Sequence, residues 1–288
     1  MIFDILTIHG ISGRRIFANM KTIIVLGASG MLGKYMVDYL VQKYPIIFIN
    51  RDRLDAEHAR MADIAYGPFQ SYMEPGVTLI NCIGMIKPQV DKYGTLAAIR
   101  VNSVFPHLLS EVCEKRKVKM FHITTDCVFS GNDGRYVESS PHDATDVYGR
   151  TKSLGEPTNC MNLRTSIIGE EANKRSLLEW VKSNAGKTIN GYGAHKWNGV
   201  TCLQLAKVVE FLIENDIYEP GIRHIFTDQS ISKFQLIQII NDVYKLGITV
   251  TPVETKKCDR TLRSELSPLN ITIPTIPDQI AEQAKFRV

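Results

Sequence analysis

The chain has 288 residues, of which 44% are hydrophobic and 22% charged, a balance that supports a sizeable core and excludes a disordered chain. Its net charge of +4 comes from 34 basic and 30 acidic residues without long runs of one sign, which disfavours a nucleic-acid-binding protein. No apolar stretch approaches the roughly 18 residues of a membrane helix, so we expect a soluble protein. The six cysteines form no CxxC pair and have no histidine at ligand spacing, which favours reduced thiols in the cytoplasm and no structural metal.

Residues 1–19 lack the order of features that defines a signal peptide. The basic pair Arg14-Arg15 follows the apolar part of this segment instead of preceding it. Met20 stands directly before the first convincing strand. We therefore expect the folded protein to begin at Met20 and residues 1–19 to be an upstream start or a poorly ordered extension.

Short β-rich runs alternate with amphipathic stretches in the first half of the chain. Strands are predicted at Thr22–Ala28, Ile46–Asn50, Val77–Gly84 and Val118–Thr125. Helices are predicted at Gly30–Lys43 and at Thr95–Lys117, with a break or kink at Pro106. This alternation is typical of a parallel α/β sheet.

The second half keeps part of this rhythm. It predicts a strand at Met161–Ile168, helices at Ser176–Asn184 and Thr201–Glu214, a strand at His224–Asp228 and a helix with a serine cap at Ser232–Tyr244. Beyond Thr249 four prolines interrupt the pattern, so a smaller and less regular C-terminal region is expected.

A glycine-rich motif, GASGMLG at residues 27–33, follows the first predicted strand and opens the first helix. Glycines in this context permit a tight turn, close approach of the backbone to a pyrophosphate and close packing of helix on strand. The alternative is an ordinary glycine-rich turn. The predicted cofactor-binding residues are Gly27, Ser29, Gly30, Met31, Leu32 and Gly33.

The end of the second strand bears on the choice of cofactor. Asn50 and Arg51 stand where an acidic residue would bind the adenosine ribose of NAD, and Arg51 can pair with a 2′-phosphate. This favours NADPH, whereas Asp52 leaves NADH open. The alternative is a solvated arginine in a charged loop.

Tyr148 and Lys152 are four residues apart, so on a helix they share one face. The ammonium would lower the pKa of the phenol, and Tyr148 would protonate a carbonyl oxygen while a hydride reaches its carbon. Thr125, at the end of an earlier strand, would hydrogen-bond the same oxygen. Alone, the pair is equally compatible with an exposed helix surface.

Together these segments resemble the extended short-chain dehydrogenase/reductase superfamily, and within it the nucleotide-sugar reductases of the dTDP-4-dehydrorhamnose reductase type. The resemblance rests on residues 27–33, 81–84, 102, 124–129 and 148–152. It implies an α/β fold with a Rossmann-type doubly wound parallel sheet in residues 20–168, to which 190–215 return. Residues 169–288 are then mainly a smaller C-terminal substrate-binding region.

The resemblance also implies roles for further residues. Additional cofactor contacts are implied for Asp63, Ile64, Cys82, Ile83, Gly84 and Asn102, besides Tyr148 and Lys152. Substrate contacts are implied for Asp126, Arg164 and Trp197. Arg164 would pair with a substrate diphosphate or form a structural salt bridge, and Trp197 stands either in a pocket loop or in a turn-rich connection.

Cys127 departs from the reductase pattern, which has Tyr at this position. In a related branch of enzymes that both epimerise and reduce, a cysteine lies two residues after the catalytic Ser/Thr, and alignment with the plant members places Lys182 at their catalytic lysine. The resemblance thus implies that Cys127 and Lys182 exchange protons at carbons 3 and 5 of a 4-ketohexose. The alternatives are a buried packing cysteine and a solvated lysine.

The expected function is NADPH-dependent 3,5-epimerisation and 4-reduction of a nucleotide-linked 4-keto-6-deoxy-D-glucose to the L-rhamnose form. The sugar would carry UDP or dTDP, and pairing of two copies is open. A reductase without epimerase activity is the first alternative. The second is a non-catalytic NADP-binding regulatory subunit.

Overall fold

A computed structural model describes residues 5–6, 21–49, 51, 54–67 and 70–286 of the chain. Apart from residues 5–6, the predicted N-terminal extension lies outside the described residues, as does Asn50. The chain forms two compact units: the first is Met1–Thr124, Thr145–Leu163 and Val209–Ile222, and the second is Thr125–Ala144, Arg164–Val208 and Arg223–Val288. The domain ranges 20–168 and 169–288 stay a prediction.

The strands, in chain order, are β1 (Ile5–Leu6), β2 (Ile23–Leu26), β3 (Ile46–Ile49), β4 (Thr78–Asn81), β5 (Lys119–Thr125), β6 (Met161–Thr165), β7 (Ile167–Ile168), β8 (Thr188–Tyr192), β9 (His195–Trp197), β10 (Val200–Thr201), β11 (Gly221–His224), β12 (Ile231–Ser232), β13 (Thr249–Val253) and β14 (Cys258–Asp259). The helices are α1 (Met31–Leu40), α2 (Met61–Ala65), α3 (Lys87–Tyr93), α4 (Thr95–Ile99), α5 (Phe105–Lys115), α6 (Val147–Ser153), α7 (Leu177–Lys182), α8 (Cys202–Glu214), α9 (Lys233–Tyr244) and α10 (Ile276–Lys285). Short 3₁₀ turns cover Gln70–Tyr72 and Asp126–Val128, and a π-helical turn covers Arg100–Val104.

The main sheet has seven strands in the order β1-β3-β2-β4-β5-β6-β11. Strand β2 runs parallel to both of its neighbours, β3 and β4, and β4 runs parallel to β5, whereas β1 is antiparallel to β3. The predicted α/β fold with a parallel sheet is confirmed. Because the chain steps from β2 to β3 on one side and later places β4 on the other, the strand order reverses at β2, and ligands bind α/β sheets at such a switch point.

The core of the first unit lies between its strands and helices. All four residues of β2 are fully buried, which explains why its sequence is apolar throughout instead of alternating. Leu79 of β4 and Phe105 and Leu109 of α5 are 0–1% exposed and pack in one cluster. Burying each side chain of this size contributes about 1.5–3 kcal/mol to folding.

The second unit has its own core and contains a helix that the sequence analysis missed. Leu236 and Ile240 of α9 pack with Ile276 and Ile280 of α10. We treated Pro277 as an interruption, and this was wrong, because it lies in the first turn of α10, where a proline needs no hydrogen-bond partner for its nitrogen. Helix α3, which also has a proline, Pro88, in its first turn, was not predicted either.

The strand predicted at His224–Asp228 is also displaced. The paired segment is Gly221–His224, and the chain beyond it is held by single bonds, such as the amide of Thr227 donating to the carbonyl of Asn198 at 2.7 Å. The apolar residues of this region therefore straddle the end of the strand, which blurs the boundary in the sequence.

Candidate functional site

The turn after β2 depends on glycine at two positions. Gly27 has φ +78°, and a Cβ atom there would lie 3.1 Å from the backbone at Cys82 and Ile83. A Cβ at Gly33 would lie 2.1 Å from the carbonyl oxygen of Gly27, closer than any side chain can approach. The turn closes through the amide of Gly30, which donates to the Gly27 carbonyl at 3.0 Å. The predicted reasons for glycine, a tight turn and close helix packing, thus apply to this structure.

This turn forms one wall of a cavity at the carboxyl ends of β2, β3 and β4. The lining residues include Gly27, Ser29, Ile49, Arg51, Asp55, Glu57, Ile83, Gly84, Met85, Gln89 and Tyr93. Met31 begins α1, and Leu32 is buried beside it. The cavity lies beside the glycine motif at the switch point of the sheet. Dinucleotides bind at this position in such folds.

Arg51 is the basic residue of this cavity. Its side chain is 71% exposed, and its guanidinium lies 3.8 Å from a carboxylate oxygen of Glu57. Asp55, which also lines the cavity, accepts a hydrogen bond from His58 at 2.9 Å, and this bond lowers the pKa of Asp55. An arginine suited to a phosphate therefore stands beside two carboxylates that can accept ribose hydroxyls.

Asp63 and Ile64 lie elsewhere within the described part of the chain. Asp63 faces Arg60 at 3.0 Å in the first turn of α2, and that hydrogen bond lowers the pKa of Asp63. Ile64 is fully buried in the core of the first unit. The adenine contact inferred for these two residues stays a prediction, since neither is among the described residues that line the cavity.

Lys152 is buried with its ammonium at the end of β5. It is 4% exposed, and its Nζ donates to the carbonyl oxygen of Ile123 at 3.1 Å. A Cβ atom at Gly84 would lie 3.7 Å from the same Nζ, so the ammonium is beside the loop after β4. Burial lowers the pKa of Lys152 to about 8, although the nearby Glu156 and Cys82 oppose the shift.

Asn102 lies in the π-helical turn and supports the same loop. Its side-chain oxygen accepts from the amide of Met85 at 2.8 Å, and its side-chain nitrogen donates to the carbonyl of Met85 at 3.0 Å. The nitrogen also donates to the hydroxyl of Thr151 at 3.2 Å, which neighbours Lys152. Asn102 thus ties the loop after β4 to α6.

Tyr148 and Lys152 lie on α6, as the spacing predicts. The helix begins at Asp146, whose carboxylate accepts from the amide of Gly149 at 2.8 Å and caps the first turn. Tyr148 is half-buried and packs against the core of the first unit. The tyrosine and the buried ammonium therefore share one helix face.

Thr125 is the last residue of β5, two positions after the carbonyl that holds Lys152. Its hydroxyl oxygen accepts from the amide of Cys127 at 3.2 Å and caps the 3₁₀ turn, and the hydroxyl donates to the carboxylate of Asp126 at 3.3 Å. Burial raises the pKa of Asp126, while the charges of Arg260 and Lys233 oppose this. Thr125, Asp126 and Cys127 are thus brought together.

Lys182, in the second unit, forms ion pairs with two carboxylates. Its ammonium lies 3.1 Å from Glu170 and 3.3 Å from Glu179, and 5.4 Å from the ring centre of Tyr244. Although partial burial opposes it, the hydrogen bond with Glu170 and the two negative charges raise the pKa of Lys182. The catalytic role inferred for Lys182 stays a prediction, and its ion pairs favour a structural role.

Arg164 is fully buried, so its guanidinium is not exposed as an open anion-binding site would require. Its guanidinium donates to the Nε2 atoms of His224 at 2.8 Å and His142 at 2.7 Å, and lies 5.1 Å from the ring centre of Phe129. Since Arg can only donate, Nε2 of His224 accepts, and Nδ1 carries the proton that it donates to the carbonyl of Arg263 at 2.7 Å. This network favours the structural reading of Arg164.

Trp197 is 4% exposed and belongs to the core of the second unit, where its indole N–H donates to the hydroxyl of Ser166 at 3.0 Å. Its proposed substrate contact stays a prediction. Two cavity carboxylates, Asp55 and Glu57, and the cation Lys233 were not predicted as site residues. The two carboxylates lie in a loop that is charged throughout, so no sequence pattern distinguishes them from their neighbours. Lys233 directly follows a helix cap, and its sequence position is that of an ordinary residue in a first helical turn.

A protein-family model identifies the family of this chain. The family model described as the RmlD substrate binding domain matches residues 20–273. The chain belongs to this family. The RmlD assignment confirms the resemblance to dTDP-4-dehydrorhamnose reductases that the motifs indicated.

Curated relatives match a little under half of the chain. A dTDP-4-keto-6-deoxy-D-glucose reductase of Streptomyces niveus is 32% identical over 135 residues, 46% of this chain and 45% of the relative. A dTDP-4-dehydrorhamnose reductase of Streptomyces griseus is 30% identical over 135 residues, 46% of this chain and 43% of the relative. The matches thus span less than half of each relative.

A solved structure has the same fold over nearly the whole chain. The dTDP-4-dehydrorhamnose reductase of Bacillus anthracis in complex with NADP superposes with a TM-score of 0.78 at 18% identity, covering 92% of this chain and 99% of the other. At this identity the likeness shows the fold alone. Among the helices described for this chain, none has the length and apolar character needed to cross a membrane.

Proposed function

We propose that this protein is an NADPH-dependent reductase of the dTDP-4-dehydrorhamnose type, which reduces the 4-keto group of a nucleotide-linked 4-keto-6-deoxyhexose. The observation that carries the proposal is the placement of Lys152. Its buried ammonium is bonded to the end of β5, beside Gly84 and on the helix of Tyr148. Two relatives with keto-sugar reductase names are 30–32% identical to 46% of the chain.

The residues present fit a dinucleotide. The glycine turn leaves no space for a Cβ at Gly33, and the cavity beside it is lined by Gly27, Gly84 and Arg51. These residues would hold the pyrophosphate backbone, the nicotinamide end and a 2′-phosphate in that order. NADPH, when bound, supplies the hydride. Asp55 and Glu57 on the same cavity support some use of NADH.

Side chains of this protein would supply and stabilise the proton transfer. Reduction adds a hydride to carbon 4 and a proton to its oxygen, and the phenol of Tyr148 would donate that proton. The ammonium of Lys152 would stabilise the phenolate that remains, because a nearby positive charge lowers the pKa of a phenol. The hydroxyl of Thr125 would donate to the same oxygen and give up its long bond to Asp126.

The epimerase activity implied by Cys127 remains a prediction. Its partner in that inference, Lys182, is paired with Glu170 and Glu179. A lysine held between two carboxylates with a raised pKa is a poor proton donor to carbon. The reductase alone is therefore the reading that the described contacts favour.

The proposal is tested by following NADPH absorbance with two substrates, dTDP-4-keto-6-deoxyglucose and its 3,5-epimer dTDP-4-dehydrorhamnose, in deuterated water. We expect turnover of the 3,5-epimer and a product without deuterium at carbons 3 and 5. Turnover of the unepimerised ketone with deuterium at both carbons would establish the bifunctional reading instead. Failure to oxidise NADPH with either substrate, in dTDP or UDP form, would reject the reductase assignment.

A further inference from the structure

Lys233 is a cation of the second unit that no described partner neutralises. It is the first residue of α9, and its side chain lines a cavity of about 750 Å³. Its Nζ lies 5.2 Å from the ring centre of Trp197. Within the described residues it makes no hydrogen bond and no close ion pair.

Lys233 lies among charged groups of both signs. Burial lowers its pKa, while the charges of Asp126, Cys127 and Cys258 act in the opposite direction and Arg260 adds to the lowering. Burial raises the pKa of Asp126, and the charges of Arg260 and Lys233 oppose that shift. An ammonium that lines a cavity and makes no hydrogen bond or ion pair among the described residues can contact an anion that enters the cavity.

The other walls of the cavity suit a flat aromatic group. Trp180 and Tyr192 line it and are 44% and 45% exposed, unusually open for rings of this size. The ring of Tyr192 lies 4.8 Å from that of His195, which also lines the cavity. Exposed aromatic faces beside a single cation provide a stacking surface and an anion contact within one cavity.

We propose that Lys233 binds the diphosphate of the nucleotide-linked sugar in this cavity, with Trp180 and Tyr192 as stacking faces for the base. The inference rests on the proposed function for the identity of the substrate. Binding of a nucleoside diphosphate by the Lys233 ammonium can be measured without turnover of the substrate. It also assigns Lys233, rather than the ion-paired Lys182 or the buried Arg164, as the cation that meets the substrate.

The test is calorimetric titration of the full chain with dTDP and UDP, each compared with its nucleoside, thymidine or uridine. Lys233→Met should weaken binding of the better diphosphate by about 10- to 100-fold, as expected for loss of a charge-assisted hydrogen bond, and leave the nucleoside unchanged. Lys233→Arg should recover part of the loss. Lys245→Met, which removes an exposed lysine at the other end of α9, is the matched control and should bind like the wild type.

Folding of each variant is checked by its thermal midpoint and by NADPH fluorescence, which reports on the first unit. Equal weakening of diphosphate and nucleoside would show that Lys233 acts by packing on Trp197, and the inference would be wrong. Unchanged dTDP and UDP affinities, or a wild type that binds neither, would overturn it as well. Lys233-dependent dTDP binding in a protein that reduces no keto sugar would uphold the inference and reject the proposed function.

Discussion

Gly155 lies directly against the backbone carbonyl of Asn102, so that a Cβ atom at Gly155 would be 1.7 Å from that oxygen. Pro106, four residues after Asn102, has no N–H to donate to this carbonyl. The π-helical turn over Arg100–Val104 accommodates the same missing bond. The chain directly after α6, the helix of Tyr148 and Lys152, thus packs against the backbone at Asn102.

Substitution of Gly155 by Ala should therefore disturb both stability and the site. The added methyl group cannot fit against the Asn102 carbonyl, so α6 must shift, and overpacking of this kind costs about 1–3 kcal/mol. Chemical denaturation measures the loss. Gly193→Ala is the control, because nothing lies within 4 Å of its Cβ position, and it should unfold like the wild type. Equal stability of the two variants would contradict the packing argument.

Replacement of Tyr148 by Phe should remove the proton donor. We expect the rate of keto-sugar reduction to fall by about 10²- to 10⁴-fold, the usual contribution of general acid catalysis. Binding of NADPH, measured by fluorescence, should change little, because the ring still packs on the core of the first unit. Reduction at the wild-type rate would show that another group protonates the oxygen.

Arg51→Ala should alter the preference between cofactors. Loss of the guanidinium removes the charge suited to a 2′-phosphate, so we expect NADPH to bind about 10- to 100-fold more weakly. NADH should bind as well as before, since Asp55 and Glu57 remain on the cavity. Fluorescence titration with both cofactors measures the ratio. An equal loss for NADPH and NADH would mean that Arg51 does not read the 2′ position.

Lys152 should make the stability of the cofactor-free protein depend on pH in the alkaline range. Burial lowers its pKa from 10.5 to about 8, so between these values the unfolded chain binds more protons than the folded one. Stability from this group therefore rises as pH increases through that window. Lys152→Met lacks the buried charge and should unfold at a higher temperature than the wild type below pH 8, with the difference shrinking toward pH 10.5. A constant difference in thermal midpoint would show that the ammonium is not desolvated.

Local sequence was sufficient for the strongest elements. The apolar run Thr22–Ala28 and the glycines at 27–33 fixed the first strand, the turn and the start of α1, because only glycine tolerates the backbone and contacts found there. The spacing of Tyr148 and Lys152 identified α6. Periodicity failed at α3 and α10, where a proline in the first turn looks like an interruption although it is compatible with a helix start.

The sequence by itself determined the α/β class, the glycine turn and the family, since these depend on neighbouring residues and on short motifs. Only the tertiary structure decided which of several similar lysines is buried at β5, which is ion-paired and which lines a cavity with no hydrogen bond or ion pair to any residue that the structure describes. Lys152, Lys182 and Lys233 differ in burial and in the carboxylates that approach from distant segments. The burial and ion pairing of a charged side chain depend on contacts between segments that are remote in sequence. The local sequence pattern does not predict those contacts.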